Sequence, residues 1–263
     1  MRKLGLLDPL AIGRACVFVY TIGLFLNLQT GSVLGSVLFM DYALPIDQVK
    51  HIEKVCGFIF LILGFLSLVP KLWFAMLPIA LGAFGFGYLA QDFGGNFFSM
   101  WSLAGHAPRY LLPIGLVFLS FDRTKATGGV ALRMGLALVF FIHGVESWLG
   151  HPYFAEYILN SFDVLGLSLK EDQALLMMKI IGGVDVLVAT LILAYPVKYV
   201  YMWALFWVLV TFAVRFLSFG WLMHKEVLVR WPNIALPVVL LLLVIMKEKK
   251  ASGELSPTVA QEG

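Results

Sequence analysis

VALRMGLALVFFIHGVESWL, residues Val130–Leu149, decides how the chain folds. It has about the twenty residues that an α-helix needs to cross a ~30 Å hydrocarbon core. Its apolar residues run on without the strict alternation of a half-buried strand. The segment closes on FIHGVESWLG, Phe141–Gly150, where His143 and Glu146 stand three residues apart and share one helix face. Titratable groups inside a membrane segment are costly, so they ask for a partner or a function.

Seven further apolar segments surround this one: Pro9–Leu28, Ile52–Val69, Leu72–Ala90, Pro108–Phe121, Ala174–Tyr195, Tyr199–Met223 and Pro232–Met246. The fourth and eighth in chain order are short for full spans. Of 263 residues, 60% are hydrophobic and 13% charged, well below the charged quarter typical of soluble domains. The expected fold class is therefore all-α, a polytopic membrane protein with eight transmembrane helices. Continuous apolar runs exclude a β-barrel. A net charge of +3 makes no case for nucleic acid. Asp8, Pro9 and Arg14 interrupt the first apolar region, which reads as a retained span rather than a signal peptide. Cys16 and Cys56 read as apolar thiols, because a ~30 Å core separates opposite ends of neighbouring helices too far for a disulfide.

The connections alternate short and long, and the alternation reads as a duplication. Arg14 matches Arg133, Asp47-Gln48 matches Asp172-Gln173, and Lys54 matches Lys179. Pro70 matches Pro196, while Pro108 and Pro113 match Pro232 and Pro237 with the same five-residue step. The expected organisation is a four-helix unit over residues 1–125, a second over 126–250, and a disordered cytoplasmic tail over 251–263. Four spans per unit make the repeat parallel rather than inverted. Lys and Arg number nine on the N-terminal side against seven on the other. That places both termini in the cytoplasm, with a bacterial inner (plasma) membrane as the expected location. Between spans five and six, His151–Leu169 carries Tyr153, Phe154, Tyr157, Ile158, Phe162 and Leu165 at helical spacing, as a short helix that lies in the interface or caps the bundle would. Asp92–Arg109 mixes glycine with aromatics and reads as a lid or, with more weight, as a loop packed into the bundle mouth.

The second unit holds the polar candidates. His143, Glu146, Asp185 and Arg215 all fall in the outer half of their spans, within about two helical turns in depth by a ~1.5 Å rise. Their counterparts in the first unit are Leu24, Asn27, Phe60 and Leu89. These four are the ligand-binding or proton-handling candidates. An Asp185–Arg215 ion pair that only sets helix register is the equally weighted plain alternative. Arg14 and Arg133, matched near the cytoplasmic side, read as structural charges that snorkel or pack helix ends. No haem, flavin or metal ligand set is visible, nor a phosphate loop, nucleophile triad or dinucleotide fingerprint.

The four-helix unit, entered through an arginine and closed by FIHGVESWLGHPYF and the Gly182-Gly183 pair, resembles the DoxX-like membrane family. Its first helix ends in Glu146 and Ser147, where that family often has lysine. The resemblance implies a four-helix bundle with a role in quinone-linked redox metabolism or as a small subunit of a membrane oxidoreductase. The leading expectation is accordingly a quinone-interacting or accessory subunit of a membrane redox system, with quinone as ligand, and lipid and other membrane or redox subunits as partners. The alternative is a non-catalytic lipid- or cargo-binding protein or an assembly factor. A transporter is the third option, weakened by a polar site in only one half.

Overall fold

The computed structural model describes residues 8–94 and 97–253. The expected tail beyond residue 253, and Arg2 and Lys3 of the charge count, lie outside them.

Local chemistry sets the helix ends. Asp8 accepts from the backbone N–H groups of Leu10 (3.1 Å) and Ala11 (3.3 Å), with Pro9 in the first turn. This satisfies donors that a helix start leaves open and fixes where α1 (Pro9–Leu28) begins. Short α2 (Val33–Met40) follows, then α3 (Ile46–Ser67), α4 (Met76–Phe93), a one-turn α5 (Ser102–Gly105) and α6 (Ala107–Leu119). The order then recurs: α7 (Lys125–Trp148), short α8 (Pro152–Val164), α9 (Glu171–Ala194), α10 (Lys198–Phe219), short α11 (His224–Val229) and α12 (Trp231–Ala251). The described residues contain no strand.

Six stretches are long and apolar enough to cross a membrane, and they contain α1, α4, α7, α9, α10 and α12. The helical membrane class expected from the sequence is present, with six such stretches among the described residues where eight spans were expected. α3 has 22 residues, yet Asp47, Lys50, Glu53 and Lys54 load its first half with charge. α6 has only 13 residues, about two-thirds of a bilayer crossing. Large apolar side chains on the outside, among them Ile62, Leu81, Ile180 and Leu187, are exposed, as lipid-facing positions of an integral membrane protein are.

Packing follows the same recurrence. α1 packs against α3 as α7 packs against α9, and α4 against α6 as α10 against α12. Between halves, α6 meets α7 as α12 meets α1, and α5 meets α7 as α11 meets α1. Reciprocal contacts of this kind are what a two-fold relation produces. Glycines allow the closest approaches. A Cβ on Gly182 would lie 2.5 Å from the Gly144 carbonyl oxygen and 2.9 Å from the Trp148 nitrogen. A Cβ on Gly57 would meet Gln29 at 3.1 Å and Phe25 at 3.2 Å. Phe25 and Gln29 are to Gly57 what Gly144 and Trp148 are to Gly182, the register set by matching Arg14 with Arg133. The two cysteines are free and half-buried.

Candidate functional site

The site lies at the end of the bundle where α7 and α10 finish and α6, α9 and α12 begin. α7 delivers His143, Glu146 and Ser147 on its last turns. Ser147 is buried and donates to the Met178 carbonyl at 2.8 Å, which ties α7 to α9 beside the Gly144–Gly182 contact. α10 delivers Arg215 one turn before Gly220, whose φ of 60° ends the helix. α8 caps the bundle, as its spacing predicts. It is held by Ser161, whose Oγ lies 3.3 Å from the Val214 carbonyl and 3.0 Å from Ser218 Oγ.

Two adjoining cavities open here. The smaller, about 150 Å³, is an apolar slot walled by Val139, Phe140, Ile181, Val208 and Val214, with Asp185 and Trp207 in its lining. The larger, about 500 Å³, is a polar chamber that includes Arg109, Arg215, Arg230, Glu146, Glu226, His106 and His151. His143, Phe154, Tyr157, Arg215 and Asn233 line both. The four sequence candidates therefore divide. His143 and Arg215 stand between the cavities, Asp185 faces the slot, and Glu146 faces the chamber.

Asp185 and Arg215 do not form the expected ion pair, which is a correction to the sequence reading. Each is only 6% exposed, but the salt bridges among the described residues do not include them. Arg215 donates from Nη1 to the Thr211 carbonyl one turn back at 2.8 Å, and its guanidinium lies 5.3 Å from the centre of the Tyr157 ring. The aromatic face and the carbonyl take the place of a carboxylate. Asp185 Oδ1 is buried without a hydrogen-bond partner. Similar depth in neighbouring spans does not place two side chains within reach, because rotation about each helix axis decides which wall they face.

Aromatic side chains shape the chamber. His143 meets Phe154 edge-on with centroids 5.8 Å apart. His151 stacks with Phe98 at 5.3 Å and with Phe154 at 4.6 Å. Burial holds the His151 imidazole below its ordinary pKa, and the Arg230 charge adds to this. Burial does the same more strongly to His106 at the start of α6, with Arg109 and Arg230 as the next causes. Both rings are therefore neutral at pH 7.

Sequence reasoning missed Arg109, Arg230, Asn233, His106 and His151. It treated the arginines only as loop charges for orientation. Their signal lay in the matched prolines. Arg109 follows Pro108 and Asn233 follows Pro232, so the two occupy equivalent third positions of α6 and α12. Pro113 and Pro237 lack the N–H that would bind the carbonyl four residues back, which in these helices belongs to Arg109 and Asn233. The chamber thus draws on both halves of the chain, whereas the slot is built from the second half alone. The expected confinement of the polar site to the second unit holds only for the slot.

Arg14 is buried and donates from Nη2 to Ser120 Oγ at 3.4 Å, joining the start of α1 to the end of α6. Arg133 is half-buried in α7. Neither lines the two cavities. Groups of three or more His, Cys, Asp or Glu able to hold a metal ion are absent among the described residues. Comparison with family models, with curated proteins and with solved structures gives no match.

Proposed function

We propose that the chain is a DoxX-like membrane protein of two parallel four-helix units. In this reading α3 and α6 complete a set of eight spans. Its slot binds a quinone-type ring, and it serves a membrane redox system as an accessory subunit. The observation that carries this reading is the unpartnered carboxylate oxygen of Asp185 in the wall of an apolar slot. A cavity of about 150 Å³ is the size that accepts a benzene-sized ring. A quinol hydroxyl donates to a carboxylate such as Asp185, and a quinone carbonyl accepts from donors such as Arg215 or His143. The slot wall supplies both kinds of group around one ring-sized space. His143 and Arg215 also face the chamber, so a proton leaving the ring has a polar route outward through Glu146. Electrons come from a partner subunit in this reading.

The test is quinone extraction from protein purified in mild detergent, alongside a variant that fills the slot. Val208 lines the slot and not the chamber, so Val208→Phe removes the space and leaves the polar groups in place. The expected result is quinone retained by the wild type and lost by Val208→Phe, with both unfolding at similar temperatures. A wild type that holds no quinone and takes up none when it is added transfers the reading to a non-catalytic binding or assembly protein.

A further inference from the structure

The chamber holds more cationic donors than the protein itself pairs. Arg109 makes no side-chain hydrogen bond or ion pair among the described residues. Arg215, 94% buried by its 6% exposure, keeps an unpartnered Nε. Arg230 donates from Nη2 to Glu226 at 3.1 Å, yet its Nε is also unpartnered. Burying donors without acceptors is costly, and three arginines around one space repel one another. A ligand that supplies acceptor oxygens and negative charge removes both costs.

We infer that the chamber is a binding site for a phosphoryl oxyanion, either the phosphodiester head of a lipid or free phosphate. Three observations select this chemistry. Arginine presents a fork of donors that matches phosphoryl oxygens. α6, with 13 residues, and α12, with 21, both begin at the chamber, so their first turns bring the side-chain donors of Arg109 and Asn233 to one space. The lining carries three arginines and three glutamates, but only Arg230 and Glu226 meet as an ion pair. Among the described residues Glu146 and Glu156 form no salt bridge, so the side-chain donors of Arg109 and the Nε of Arg215 stay open to a phosphoryl group. A cavity of about 500 Å³ lies within the range of small-ligand pockets, so it has room for a substituted head group. This site goes beyond the ring-binding slot and is separable from it, because Arg109 lines the chamber and not the slot.

The experiment is thermal unfolding of the full chain in a neutral detergent. Titrations use inorganic phosphate, micellar phosphatidylglycerol, micellar uncharged diacylglycerol, and chloride at matched ionic strength. The wild type should be stabilised by phosphate or phosphatidylglycerol beyond the effect of chloride and diacylglycerol. Stabilisation by the lipid with little response to phosphate identifies a lipid head group as the ligand, and the converse identifies the free anion. Arg109→Gln should weaken the apparent affinity roughly tenfold or more, the size expected for losing a charge-assisted hydrogen bond. Arg109→Lys, which keeps the charge but not the fork, should fall between. It also serves if the glutamine variant does not fold. Val208→Phe should respond as the wild type does, so loss of ring binding and loss of anion binding are read separately. Equal responses to phosphate, phosphatidylglycerol and chloride, or an undiminished response in both Arg109 variants, overturns the proposal.

Discussion

The two halves of the chain repeat the same order of helices and the same packing partners, but they treat one position in opposite ways. In the second half, Asp185 borders the apolar slot. Its counterpart in the first half is Phe60, which packs against the core and lies 5.9 Å, centre to centre, from the Phe86 ring. A Cβ on Gly82 would lie 2.3 Å from the Phe60 ring, so the ring occupies the space that a larger residue at 82 would need. Buried polar chemistry in the first half closes a local joint instead. Glu53, 4% exposed, accepts from Ser32 N at 2.8 Å and from Ser32 Oγ at 2.6 Å, and so secures the start of α2. One scaffold thus yields a filled copy and a hollow one. At one turn of the second long helix, Phe60 stands against the core in the first half where Asp185 lines the slot in the second.

The largest expected effect tests the close approach on which the hollow copy depends. Gly182→Ala drives a methyl group into the Gly144 and Trp148 backbone, which cannot rotate away, and should cost about 3 kcal/mol. The matching Gly57→Ala meets the movable Gln29 and Phe25 side chains and should cost less than about 1 kcal/mol. Equilibrium unfolding of both variants in detergent measures the contrast, and equal losses would break the comparison between halves.

Next is the polar exchange itself. Asp185→Leu replaces a buried carboxyl group, whose Oδ1 has no hydrogen-bond partner, with an apolar group, as the first half does with phenylalanine. It should stabilise the bundle by about 2 kcal/mol, in line with the cost of a charge within a membrane, while abolishing quinone retention. A loss of stability would instead indicate that Asp185 has a partner, with Trp207 and Arg215 in the same slot wall as the candidates.

The short helices offer a smaller test. Ser161→Ala removes the link from α8 to Val214 and Ser218, at about 1 kcal/mol for a net hydrogen bond. Amide exchange should then rise in α8 and stay unchanged in α2, which Glu53 holds by a separate contact.

The smallest effect is one of pH. His151 has a folded-state pKa below its unfolded value. The unfolded chain therefore binds the proton more readily, and stability should fall as pH drops below about 6.5. His151→Phe keeps a ring in contact with Phe98 and Phe154 and cannot take up the proton. It should flatten that part of the profile by a few tenths of a kcal/mol, as read from unfolding midpoints between pH 7 and pH 5.

Sequence alone was enough for the helical membrane class, because solvating a backbone in lipid demands internally bonded helices and long apolar runs. It was also enough for most element bounds: Asp8-Pro9 starts α1 where the cap chemistry dictates, and the spacing in Tyr153–Phe162 foretold α8. His143 and Arg215 could be singled out because a charged or polar group stands out against an apolar run. Only the tertiary structure decided who faces whom. Asp185 and Arg215 share a depth but not a contact, since axial rotation is set by packing at Gly144 and Gly182 rather than by position along the chain. Arg109, Arg230 and His106 read as ordinary loop polarity until the starts of α6 and α12 converged on the ends of α7 and α10. Periodicity reports which face of a helix is buried. It does not report which neighbour that face meets, or whether the space between them is filled.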